Sequence, residues 1–194
     1  MQKLTREDLM TLETYSVRRP VFRKEVLAHK KNRQLRFGEH AALYFEDRLT
    51  IQYQVQEMLR IEKIFESAAI HEELDAYNPL IPDGQNLKAT FMIEYDDVEE
   101  RQRVLATMVG IEDTVWLQVD GFDKVYAIAD EDLDRATEEK TSAVHFMRFE
   151  FESAMCEALK SGAVLKAGID HISYPQLIDP IAENIRDSLV ADFN

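Results

Sequence analysis

The stretch Gln34-Leu35-Arg36-Phe37-Gly38-Glu39-His40-Ala41-Ala42-Leu43-Tyr44-Phe45 decides the fold class. Two short runs rich in apolar and aromatic residues flank Gly38-Glu39-His40, which reads as a hairpin turn, so strands are predicted over 34–37 and 41–45. Toward the C-terminus, Asp47 opens a segment without Gly or Pro that reads as one long central helix over about 47–69. Toward the N-terminus, Thr5 followed by Glu7 and Asp8 is the cap and acidic first turn of a helix. Pro20 is expected to stop or interrupt it, with a second helix over about 21–31.

Beyond Asn78-Pro79-Leu80-Ile81-Pro82-Asp83-Gly84, the clearest loop in the chain, strands and helices alternate. Strands are predicted over 89–95, 114–119, 124–129, 142–151 and 164–169, with a second hairpin turn at Asp120-Gly121-Phe122-Asp123. Helices are predicted over 97–109, 130–138 and 152–160, and one or two helices over 175–193. Adjacent hairpins mixed with helices point to an α+β fold with a mixed or antiparallel sheet. A chain of 194 residues fits a single domain. The 78–84 loop would divide it into a helical and hairpin subdomain, 1–77, and a sheet-containing subdomain, 89–194, sharing a core.

Charge is unevenly placed. The net charge is −14, yet residues 1–40 carry ten Lys or Arg against five Asp or Glu. The acidic bulk argues against a nucleic-acid partner, because phosphate contact needs a basic face. The strip Arg18, Arg19, Arg23, Lys24, Lys30, Lys31, Arg33 and Arg36 is the exception. It reads either as docking on the chain's own acidic body or as a site for an acidic partner. No apolar run reaches the roughly 20 residues that span a bilayer, and none at the start has signal-peptide character, so a cytoplasmic protein is expected. The single cysteine, Cys156, rules out an internal disulfide and a self-held iron–sulfur cluster, and its apolar neighbours predict a buried thiol.

On the predicted long helix, Ile51, Val55, Met58, Phe65 and Ala69 share a narrow stripe, with Glu62 in its middle and Glu66 and Arg48 toward one edge. A core-facing carboxylate must be paired, hydrogen-bonded, protonated or metal-bound. An ion pair with Arg48 or Arg60 is the structural reading; a metal ligand or acid/base is the functional one. No Glu-x-x-His pair completes a di-iron pattern. Alternation along 142–151 places His145, Met147, Phe149 and Phe151 on one face, as a core-facing histidine would be. His171 and Asp170 end another strand, and if the two strands were neighbours, His145, His171 and Asp170 could form a small polar site for a metal or a proton transfer. There is no glycine-rich phosphate loop, no Gly-x-Ser-x-Gly elbow, no His-Glu-x-x-His and no Cys-x-x-Cys.

Several stretches are familiar together: Ala28-His29-Lys30-Lys31-Asn32-Arg33, Phe45-Glu46-Asp47-Arg48 with the segment from Gln54 to Glu62, Glu73-Leu74-Asp75-Ala76-Tyr77-Asn78-Pro79, and Thr141-Ser142-Ala143-Val144-His145-Phe146. With Ile128-Ala129-Asp130-Glu131-Asp132-Leu133 they make the whole chain resemble the bacterial domain-of-unknown-function family 3501. That resemblance carries no catalytic residues. It implies a genomic neighbourhood with a rubrerythrin-like di-iron protein and an iron–sulfur oxidoreductase subunit. The expectation is therefore an accessory or adaptor protein in redox or peroxide-defence metabolism, binding a redox protein through the basic strip. The alternatives are a small metal-dependent or acid/base enzyme using Glu62 with Arg48 and Glu66, or His145 with His171, and a homodimer with a structural role.

Overall fold

The computed structural model describes residues 2–131, 135, 137 and 140–193. In chain order the elements are α1 Leu12–Lys30, β1 Gln34–Phe37, β2 Ala41–Glu46, α2 Arg48–Ile61, α3 Ser67–Tyr77, β3 Asn86–Ile93 and α4 Val98–Thr107. They continue as β4 Val115–Val119, β5 Lys124–Tyr126, β6 Ile128–Ala129, β7 Val144–Glu150, α5 Ser153–Lys160, β8 Leu165–Ile169, β9 Gln176–Ile178 and α6 Glu183–Val190.

Two antiparallel sheets organise the α+β fold. The larger has the order β1-β2-β3-β7-β6 and the smaller β5-β4-β8-β9. The chain changes sheet at Ala127, whose N–H donates to the Val115 carbonyl at 2.8 Å, so the segment expected as one strand over 124–129 serves both sheets. Strict alternation fills the space between them. Leu87, Ala89, Phe91 and Ile93 of β3 and His145, Met147 and Phe149 of β7 are buried, as are Val115, Leu117 and Val119 of β4. Residues of both sheets belong to one apolar cluster, which α5 and α6 close with Met155, Cys156, Leu159 and Leu189. Each fully buried Leu or Phe there contributes roughly 1.5–3 kcal/mol.

β2 pairs along its length with β3, so the hairpin of the N-terminal half belongs to the same sheet as the strands beyond the 78–84 loop. The first helices keep smaller cores of their own. Tyr15, Phe22 and Val26 of α1 pack against Leu49 and Tyr53, and Ile51, Val55 and Leu59 of α2 pack with Ile70 and Leu74 of α3.

Three expectations are corrected. α1 runs through Pro20, which lies on its exposed side, instead of stopping there. The long central helix is two helices: α2 ends at Ile61, Glu62 is its C-cap, and Lys63 takes the left-handed conformation at φ 57°. The Ile64 N–H then donates to the Leu59 carbonyl at 2.9 Å, the closing bond of a Schellman turn. Finally, the segment from Pro175 contains β9 before its single helix α6. The acidic helix expected over 130–138 falls largely on residues outside those described; Asp130 itself is left-handed, at φ 52°. Among the described residues, no helix is long and apolar enough to cross a membrane.

Candidate functional site

The break after Ile61 removes the reason for suspecting Glu62. The stripe of α2 ends before it, and Glu62 is an exposed helix cap. Glu66 is the exposed N-cap residue of α3, and Arg48 pairs with Asp8 at 2.6 Å. These three side chains build no common centre.

His145 is wholly buried, and its partners differ from those expected. β7 lies in the larger sheet and β8 in the smaller, so His145 is not on a strand next to His171 or Asp170. Its Nδ1 faces Asp130 Oδ2 at 2.6 Å, and its Nε2 faces the Ser142 carbonyl at 3.1 Å and Thr141 Oγ1 at 2.9 Å. A carboxylate only accepts, so Nδ1 donates to Asp130. The Thr141 hydroxyl donates to Glu112 Oε2 at 2.9 Å and so bridges Nε2 to that carboxylate. Asp130 also accepts from the Phe146 N–H at 3.1 Å and from Arg135 at 3.3 Å. The imidazole is thus enclosed between Asp130 and the Thr141–Glu112 pair, with no ring surface open to a substrate.

His171 donates Nε2–H to the Val109 carbonyl at 3.2 Å and accepts the Ser173 N–H at Nδ1. Asp170 turns to the other side, where Trp116 Nε1, Lys124 and Tyr126 each donate to it at 2.8 Å. Against the upward pull of burial, these donors hold its carboxyl below the usual range. No three His, Cys, Asp or Glu side chains among the described residues converge as metal ligands would.

The basic strip divides into two sets. One set fastens the chain to itself. Arg19 grips Glu57 through Nε at 2.7 Å and Nη2 at 2.8 Å, and the Tyr15 hydroxyl donates to the same carboxylate at 2.5 Å. The Arg19 guanidinium above all, with Tyr15 and Arg60, holds Glu57 down to about 2. Arg36 pairs with Glu94. Arg33 is 2 % exposed and sits between Asp47 and Asp192, which corrects its assignment as a partner contact. Asp47 caps α2 through the Thr50 N–H and also holds His29 Nε2 at 2.5 Å, so α1, α2 and the first hairpin meet at one carboxylate.

The other set has no carboxylate among the described residues. Arg18, Arg23, Lys24 and Lys31 are exposed and Lys30 is half-buried. They surround an outward stripe of α1 at helical spacing: Val17, Val21, Lys24, Ala28 and Lys31. Val17 is 79 % and Val21 60 % exposed, and Leu27 beside them is 44 % exposed. Between 17 and 31 the sequence holds one acidic residue, Glu25. The inward side of α1 is fixed by Tyr15, Phe22, Val26 and the Glu57 grip, so the stripe is presented on a rigid support. Sequence reading located the cations; the apolar residues among them became visible only once α1 was seen to continue through Pro20.

Residues 3–193 match the model of the family described as protein of unknown function (DUF3501). A crystal structure of a novel protein of unknown function from Burkholderia pseudomallei is similar over 100 % of both chains, with 53 % identity and a TM-score of 0.94. No curated protein matches the chain.

Proposed function

The chain belongs to the DUF3501 family, and from that premise we propose that it is an accessory protein that docks an acidic protein partner through the outward face of α1. The partner's class, a redox protein in peroxide defence or related metabolism, is the part that the family resemblance suggests; the cytoplasm is the proposed setting. One observation carries the reading. A chain of net charge −14 keeps Val17 and Val21 exposed on the outward stripe of α1, with Leu27 beside it, among cations that pair with no carboxylate among the described residues. An exposed apolar patch rimmed by charge is the composition of a contact surface, and the cations would steer an acidic partner to it. A second copy of this chain suits the face poorly, because like charges would meet across it.

The enzymatic alternative has less support, since His145 is enclosed and Glu62 is a solvent-exposed cap. The test is co-purification of the tagged chain with the rubrerythrin-like protein and with the iron–sulfur oxidoreductase subunit of the same genome. The expected result is a complex at low ionic strength, lost at high salt and lost in the triple variant Arg23→Glu, Lys24→Glu, Lys31→Glu. No complex with either protein at low salt would overturn the proposal.

A further inference from the structure

On the far side of the larger sheet from its core, the loop after α3 roofs the outer face of β3 and β7. The space between them is a cleft of about 700 Å³, within the range of about 300–1,000 Å³ usual for small-molecule sites. Tyr77, Leu80, Ile81 and Phe146 give it apolar walls. Among the described residues, the charged side chains that line it are Lys3, Lys88, Arg148, Asp83 and Glu131.

The cations are not equivalent. Arg148 is satisfied, with Nε and Nη2 on Glu131 at 2.9 and 2.8 Å and Nη1 on Glu150 at 2.5 Å. Lys88 stands directly across the strand pair from Arg148, a like-charge placement that is unfavourable alone. Its Nζ donates to the Pro79 carbonyl at 2.6 Å and makes no ion pair among the described residues. Burial holds the Lys88 ammonium below the ordinary lysine range, so a ligand's negative charge beside it would be favoured. An ammonium carries three donors, and the Pro79 carbonyl takes one of them.

The roof is preformed. The Leu4 N–H donates to Asn78 Oδ1 at 2.8 Å and Asn78 Nδ2 donates to the Leu4 carbonyl at 2.9 Å, which pins one end of the loop. Asn86 closes the other end with a 2.8 Å bond to Asp83.

We infer that this cleft binds a small organic acid, its anionic head on Lys88 beside Lys3 and its apolar body against Tyr77, Leu80 and Phe146. The site is separate from the α1 face and does not depend on the docking proposal. Nuclear magnetic resonance titration of the isotope-labelled full chain tests it, with phenylbutyrate as probe and phenylbutanol and inorganic phosphate as controls. Phenylbutyrate should shift resonances of 76–83, 88 and 146–148, and phenylbutanol should bind about tenfold more weakly or worse, as expected for loss of a charge-assisted bond. Phosphate alone should leave the apolar walls unshifted. Lys88→Met should weaken phenylbutyrate about tenfold with resonances remote from the cleft unchanged, and Lys3→Ala should weaken it about threefold. Equal binding of acid and alcohol, shifts outside the cleft only, or full affinity in both lysine variants would overturn the inference.

Discussion

Arg33 and Asp192, 159 positions apart in the chain, form a buried ion pair that fastens the C-terminal end to the first hairpin. The guanidinium reaches Asp192 Oδ1 with Nη1 at 3.3 Å and Asp192 Oδ2 with Nη2, and gives its remaining donors to the carbonyls of Phe45, Glu46 and Ser188. Asp47 competes for the same guanidinium at 3.4 Å. One cation thus serves two enclosed carboxylates, and burial pushes Asp192 up to about 6 in spite of Arg33.

A pH dependence follows. The folded chain binds the Asp192 proton more tightly than the unfolded chain does, so this contribution is fully present below about pH 4 and is lost as pH rises through about 6. Its full size is about 3 kcal/mol. Asp192→Asn cannot titrate, so its stability relative to wild type should climb from pH 4 to pH 7 by about that amount. Urea unfolding of both proteins across this range checks it; parallel curves would refute the assignment.

Glu57 titrates with the opposite sign. Its carboxyl is held at about 2, so the stability it gives is present above the ordinary value of 4.5 and fades as pH falls toward 2. Glu57→Gln should lose about 2 kcal/mol at neutral pH and converge on wild type in acid. Because Glu57 ties α1 to α2, hydrogen exchange in α1 should also quicken in the variant.

His145 is predicted to be structural. His145→Ala opens a cavity and leaves Asp130 and Thr141 without their ring partner, and the cost should be about 3 kcal/mol in chemical denaturation. Carbethoxylation of the native chain should spare His145, whose ring is enclosed, and should reach it only after unfolding. Rapid modification in the native state would contradict the enclosed network.

Gly168 allows β8 to pass beneath the only tryptophan. A Cβ there would meet Trp116 at 2.3 Å and the Gln176 carbonyl at 2.8 Å. Gly168→Ala should therefore cost about 3 kcal/mol and displace the indole from Asp170, read as a shift in tryptophan emission.

Features set by neighbours in the chain were legible in the sequence. The β7 alternation follows from a period of two, and the hairpin turns from Gly38 and Gly121, both left-handed, at φ 61° and 85°. The end of α2 was not legible, because Lys63 occupies a left-handed position where glycine is the usual signal. Nor could the run of cations reveal which members are buried. Arg33 differs from Lys31 only through Asp47 and Asp192, and only folding brings those partners together. The partners of His145 were hidden for the same reason: Glu112 and Asp130 lie 33 and 15 positions before it and come from outside its strand.

If α1 is the docking face, hydrogen–deuterium exchange of the chain with and without the proposed rubrerythrin-like or iron–sulfur protein will show it. Slowed exchange across 17–31 in the complex, absent when Arg23, Lys24 and Lys31 are reversed to glutamate, is the predicted result. A complex that leaves those residues unchanged and protects another surface, or no complex with either protein, would contradict it.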